Sequence, residues 1–122
     1  MRLFAKSWML LLLLDVAMRF LGYGKWCAMI RQTRVARSPS ACRTEDVRSA
    51  LDLACVFYFR RVFCLQRSAA LVLLLRRHGI AASLVVGAQF LPFAAHAWVE
   101  ANGTVLNERK YVVERYQVLD RY

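Results

Sequence analysis

Between Cys64 and Arg77 the apolar residues Leu65, Ala69, Val72, Leu73 and Leu75 fall on most sides of a helix instead of forming one stripe. Such a helix cannot lie at a surface, so the rest of this 122-residue chain must wrap around it. Its end is marked: Arg76, Arg77 and His78 suit the negative C-terminus, and Gly79 suits a left-handed cap. His78 therefore reads as a helix-end residue.

On either side of this segment the periodicity changes. Residues from about Leu3 to Leu21 predict a helix ended by Gly22 and Gly24, followed by a basic irregular connector through Ser38-Pro39-Ser40. Thr44 then reads as an N-cap with Glu45 and Asp46 behind it, and Val47, Leu51, Ala54, Cys55 and Tyr58 recur at three- and four-residue steps. Cys55 lies on that inward face as a small buried hydrophobe. From Ile80 the period becomes that of strands: Ala82 to Ala88, a break at Pro92, then Ala94 to Ala101. Asn102-Gly103 signals a hairpin into Thr104-Val105-Leu106-Asn107, and the runs at Tyr111-Val112-Val113 and Tyr116 to Leu119 are also β-like. Helices first and an antiparallel sheet after them define an α+β fold. We expect one domain over 1–122, with 1–43 a partner-docking helix and basic connector and 44–122 the functional core.

Charge narrows the partners. Eighteen Lys+Arg against eight Asp+Glu leave a net +10, a field that favours anionic partners. The arginines are scattered, however, and the Arg31, Arg34, Arg37 cluster lacks the interleaved aromatics that stack bases, which argues against nucleic acid. Cys27, Cys42, Cys55 and Cys64 form no C-x-x-C pair and have no histidine at zinc-ligand spacing, so no metal or other cofactor is expected. A hydrophobic fraction of 59% can build a core without disulfides, and free thiols in a reducing cytoplasm are the expectation. Trp8 to Leu14 imitates a signal peptide, but Asp15 and Arg19 interrupt it well short of the roughly 18 residues that a membrane span requires. A packed or partner-binding helix is favoured over membrane contact.

Cys64 is the cysteine placed for nucleophilic chemistry. It opens the central helix, whose unpaired N–H groups and dipole stabilise a thiolate, and Arg60, Arg61 and Arg67 are close in sequence. A base must then reach the sulfur, and His96 is the better of the two histidines. In His96-Ala97-Trp98-Val99-Glu100, alternation puts His96, Trp98 and Glu100 on one face. Trp98 reads as core packing before it reads as a cleft wall. The group that orients the imidazole depends on hairpin register. A two-residue turn at Asn102-Gly103 pairs residues whose numbers sum to 205, placing Asn107 on the His96 side and Glu108 on the other. A three-residue turn at Ala101-Asn102-Gly103 sets Glu108 opposite His96. The dipeptide favours the shorter turn, yet both Asn107 and Glu108 stay open, and Glu108 is expected at the site only with the longer one.

Taken together, Cys64-Leu65-Gln66-Arg67-Ser68-Ala69-Ala70-Leu71, Leu74-Leu75-Arg76-Arg77-His78-Gly79-Ile80, Pro92-Phe93-Ala94-Ala95-His96-Ala97-Trp98-Val99-Glu100 and Val105-Leu106-Asn107-Glu108 resemble the transglutaminase-like leader peptidases of lasso-peptide biosynthesis, in their split single-domain form. The resemblance implies a papain- and transglutaminase-like fold with a Cys-His-Asp triad, mapping onto Cys64, His96 and Glu108. Glutamate stands where the family usually has aspartate, and Asn107 is the fallback. It further implies a precursor-peptide substrate, a separate small leader-recognition protein and a cyclase resembling asparagine synthetase. Two other readings use the same chain: a noncatalytic module that binds a partner or a membrane surface, and a transglutaminase-type acyl transferase in which an amine replaces water.

Overall fold

The computed structural model describes residues 2–37 and 43–122. Cys42 and the Ser38-Pro39-Ser40 part of the expected connector lie outside the described residues. Helix α1 spans Arg2–Gln32 and is broken at Gly22, whose φ of 78° and ψ of 170° leave the helical region. Glycine tolerates that left-handed φ without a Cβ penalty. The Trp26 indole N–H donates to the Leu14 carbonyl at 3.2 Å. A straight helix would hold these residues about 18 Å apart, so the chain doubles back at Gly22. The glycine thus bends the expected helix without ending it. Its second limb buries Trp26, Cys27 and Ile30, and the irregular segment begins only at Thr33. Cys27, expected near the connector, is a core residue.

Helix α2, Thr44–Phe57, buries Val47, Leu51 and Ala54 as its spacing predicts, and Cys55 is half-buried. Thr44 is its first helical residue instead of its cap; Arg43 holds the N-cap position without a side-chain bond. Helix α3, Cys64–Arg77, is buried continuously from Ser68 to Arg76. It ends in a Schellman motif: Gly79, at φ 80°, donates to Arg76, and Ile80 donates to Leu75. Strands β1 (Ala82–Phe90), β2 (Phe93–Ala101), β3 (Thr104–Val105) and β4 (Gln117–Arg121) form an antiparallel sheet in the order β3-β2-β1-β4. Tyr111-Val112-Val113 is not a strand. It belongs to a single helical turn, α4 (Lys110–Val113), which carries the chain across to place β4 beside β1. The fold is therefore α+β, with helices packed on one face of the sheet through Leu84, Ala97, Val99 and Ala101.

Arg76 was expected among the cations flanking the helix end, but it is only 6% exposed. Its guanidinium donates to four main-chain oxygens: Ala82 at 3.0 Å, Ile30 at 2.5 Å, Thr33 at 3.2 Å and Tyr122 at 3.0 Å. It joins α3 to the end of α1, the entry of β1 and the segment after β4. Burial pushes its pKa down. On the outer side of α1, Met9, Leu13, Val16 and Phe20 form an exposed apolar row. Among the described residues, no helix is long and apolar enough to cross a membrane.

Replacing Arg76 with Met would leave buried carbonyls without donors, each costing about 1–3 kcal/mol. We expect Arg76→Met to lower the unfolding free energy by roughly 3 kcal/mol or more in urea titrations. Arg76→Lys, which cannot fork to the same oxygens, should recover less than half of that loss.

Candidate active site

The sheet carries His96 on the face opposite its helix-packed side, and cross-strand packing around that histidine is tight. Its direct partner on β1 is Gly87. A Cβ at Gly87 would lie 2.7 Å from the Trp98 ring and 3.0 Å from the Gln117 carbonyl, so only glycine lets the indole settle there. Trp98 is fully buried. It packs instead of walling a cleft, as its composition suggested. Tyr116, which the sequence did not single out, completes the surround with its ring 5.4 Å from that of His96.

The β2–β3 turn is the two-residue kind. Glu100 pairs with Val105 and Ala101 with Thr104, so paired numbers sum to 205, and both Asn102 (φ 53°) and Gly103 (φ 75°) are left-handed, as a type I′ turn requires. By simple extension of the ladder, Glu108 should then miss His96. Instead its Oε2 lies 2.7 Å from His96 Nε2. The expectation that Glu108 needs a longer turn is overturned, because the ladder stops before it.

What stops the ladder can be followed bond by bond. Leu106 N–H still donates to the Val99 carbonyl at 2.9 Å, in register. The return bond is missing: the Leu106 carbonyl accepts from Arg48 of α2 at 2.9 Å, and Val99 N–H donates to the Asn107 side-chain Oδ1 at 2.8 Å. The Asn107 amide nitrogen in turn donates to Ser68 Oγ at 3.0 Å, and that hydroxyl donates to the Ala97 carbonyl at 3.1 Å. Asn107 therefore clamps β2 to α3, while the chain swings and delivers Glu108 to the imidazole. Sequence reasoning considered Asn107 as the orienting group and passed over Ser68. The available signal was a polar residue in an otherwise apolar helix, four positions after Cys64.

Burial by itself pushes the Glu108 carboxyl up. The Arg109 backbone N–H at 3.1 Å, the His96 ring and the Arg67 charge outweigh that effect and hold it below its ordinary value. An ionised Glu108 accepts from Nε2–H, so Nδ1 is the ring nitrogen left free to act as a base. Ser68, four residues after Cys64, bonds the Ala97 carbonyl of the strand that carries His96, and Arg67, three residues after Cys64, adds its charge to those acting on Glu108. The Cys64 thiol is half-buried and takes no part in these hydrogen bonds.

The start of α3 is bare. Phe63 is its N-cap without a side-chain bond, and no acidic residue occupies its first turn. The first helical bond runs from Arg67 N–H to Phe63, so the N–H groups of Cys64, Leu65 and Gln66 point free of the helix. An anion is electrostatically favoured there. Cys55 differs: burial, helped by Asp52 and only partly opposed by Arg67, pushes its thiol up. Cys27 is buried within the core.

These features agree with the comparisons to known proteins. The chain belongs to the transglutaminase-like superfamily, whose sequence model matches residues 10–121. It is similar to the microcin J25-processing protein McjB of Escherichia coli, with 30% identity over 76 residues that cover 60% of this chain. The chain spans about a third of that relative, 36% of its length. No solved structure matches it.

Because the folded-state pKa of Glu108 lies below its unfolded value, its contribution to stability is present above the ordinary carboxylate value of 4.5 and is lost as pH falls through the depressed one. Urea midpoints should thus fall between about pH 6 and about pH 3 more steeply in the wild type than in Glu108→Gln, which has no carboxylate to protonate. A second outcome follows from the clamp. Asn107→Ala should cost about 1–3 kcal/mol, since it leaves Val99 N–H unpaired, and should broaden the His96 ring resonances in NMR spectra.

Proposed function

We propose that this protein is a cysteine peptidase that removes the leader from a ribosomally made lasso-peptide precursor. The observation that carries this reading is the His96–Glu108 pair at 2.7 Å, on the strand that Ser68 of the Cys64 helix bonds through the Ala97 carbonyl. The order and spacing of these residues resemble those of the transglutaminase-like leader peptidases, the superfamily membership supports that reading, and the McjB similarity favours the same substrate class, since microcin J25 is a lasso peptide.

In the reaction, the Cys64 thiol gives its proton to His96 Nδ1, and the thiolate attacks the carbonyl at the leader–core junction. Glu108, kept ionised, holds Nε2–H and stabilises the imidazolium. The unpaired N–H groups of the first turn of α3 receive the developing oxyanion. His96 then protonates the departing amine of the core peptide, leaving the leader as a thioester on Cys64, and water activated by His96 releases it. A separate leader-recognition protein delivers the precursor, docking on the apolar row Met9, Leu13, Val16 and Phe20. An asparagine-synthetase-like cyclase uses the freed amine. The reducing cytoplasm is the setting that keeps Cys64 a thiol.

Mass spectrometry of precursor incubated with this protein and its leader-binding partner tests the reading. Cys64→Ala and His96→Ala should abolish cleavage at the junction, and Glu108→Ala should lower kcat by about 10²-fold or more through loss of the imidazole's orientation. Undiminished cleavage by Cys64→Ala would sink the peptidase assignment. At about pH 6, iodoacetamide should label Cys64 ahead of Cys55 and Cys27, as peptide mapping would reveal.

A further inference from the structure

Beside the opening turn of α3 lie two cavities, of about 560 Å³ and about 290 Å³, that meet at the ion pair between Arg67 and Asp52. Both residues line both cavities, which therefore adjoin at that pair as the two halves of a trough. The larger cavity is walled by Val62 and Arg67, on either side of Cys64 in the chain, and the smaller reaches Glu108. The trough therefore borders the segment that carries the proposed nucleophile and reaches the carboxylate that holds its base.

Its charge is one-sided. Five arginines line it, against only Asp52 and Glu108. Three of the five have carboxylate partners: Arg67 with Asp52, Arg60 with Asp15 and Arg48 with Glu45. Arg61 and Arg109 have none among the described residues. Arg61 lies over the Phe63 ring, and Arg109 donates to the Tyr111 hydroxyl. These two guanidiniums line different halves of the trough, one three residues before Cys64 and the other next to Glu108. A guanidinium fork matches a carboxylate in geometry as well as charge.

We infer that this trough seats an acidic stretch of the peptide substrate, with Arg61 and Arg109 receiving carboxylates that flank the cleavage point. The inference rests on the peptidase reading and names what that site selects. Acidic side chains near the junction raise affinity.

Binding is measured on the full chain carrying Cys64→Ala, by fluorescence anisotropy of a labelled dodecapeptide of alternating Glu and Gly and of its Gln-for-Glu twin. The acidic probe should bind at least about tenfold tighter than its twin. Arg61→Gln combined with Arg109→Gln should remove about tenfold of that affinity, and the corresponding lysine pair, which keeps the charge but not the fork, should recover only part of that loss. Arg34→Gln with Arg37→Gln is the control. It makes the same change in net charge in the segment that bonds to Arg76, at the far end of α3, about 20 Å from Cys64. This control should leave binding within about twofold. Equal losses in the two glutamine pairs would reduce the effect to diffuse net charge and overturn the trough. So would equal binding of the two peptides, or a thymidine dodecanucleotide that depends on Arg61 and Arg109 more than the acidic peptide does. Cleavage by the Cys64-containing protein separates the two readings. Selective binding without cleavage refutes the peptidase and leaves the trough, whereas cleavage with a KM indifferent to Arg61 and Arg109 refutes the trough alone.

Discussion

One buried guanidinium holds the architecture together. Arg76 gathers oxygens from residues 30, 33, 82 and 122, so that the end of α1, the start of β1 and the chain after β4 share a single donor at the foot of α3. The head of the same helix is fixed differently, by Ser68 and Asn107 bonded across to β2. Between these two anchors α3 is apolar and buried throughout. Its opening turn is therefore rigid in position yet electrostatically unsatisfied, with no cap and no acidic neighbour of its own.

That division has a thermodynamic logic. A serine or aspartate at position 63 would cap the helix and stabilise it by about 1 kcal/mol, but it would also occupy the N–H groups that favour a thiolate. The chain keeps Phe63 there instead. A similar compromise holds at Glu108, whose carboxylate is partly buried at some desolvation cost and is kept ionised by a backbone N–H, an imidazole and the more distant Arg67.

Much of this was legible in the sequence where the determining interactions are local. The limits of α3, its glycine cap, the inward face of α2 and the alternation around His96 follow from periodicity and turn chemistry alone. The hairpin register was legible only as a preference, since Asn102-Gly103 favours the type I′ turn without excluding the longer one. The position of Glu108 was not, because it depends on Arg48 capturing the carbonyl of Leu106, 58 positions further along the chain, and ending the ladder early. Tyr111-Val112-Val113 misled for a related reason: β-branched and aromatic residues favour strands, but here a connection had to cross from β3 to the far edge of the sheet, and one helical turn makes it. Gly22 reads as a stop in sequence. Only the burial of Trp26, Cys27 and Ile30 beneath the first limb reveals it as a bend.

The fourth strand of the sheet comes from residues 117–121, and Tyr116 just before it packs on His96. During synthesis the cysteine, the histidine and the carboxylate all leave the ribosome before this last strand does. Until β4 pairs with β1, the Trp98 side of the sheet has no cover and Arg76 lacks one of its four oxygens. A nascent chain therefore holds Cys64, His96 and Glu108 before it holds the strand that frames them, and that frame closes only when β4 pairs with β1.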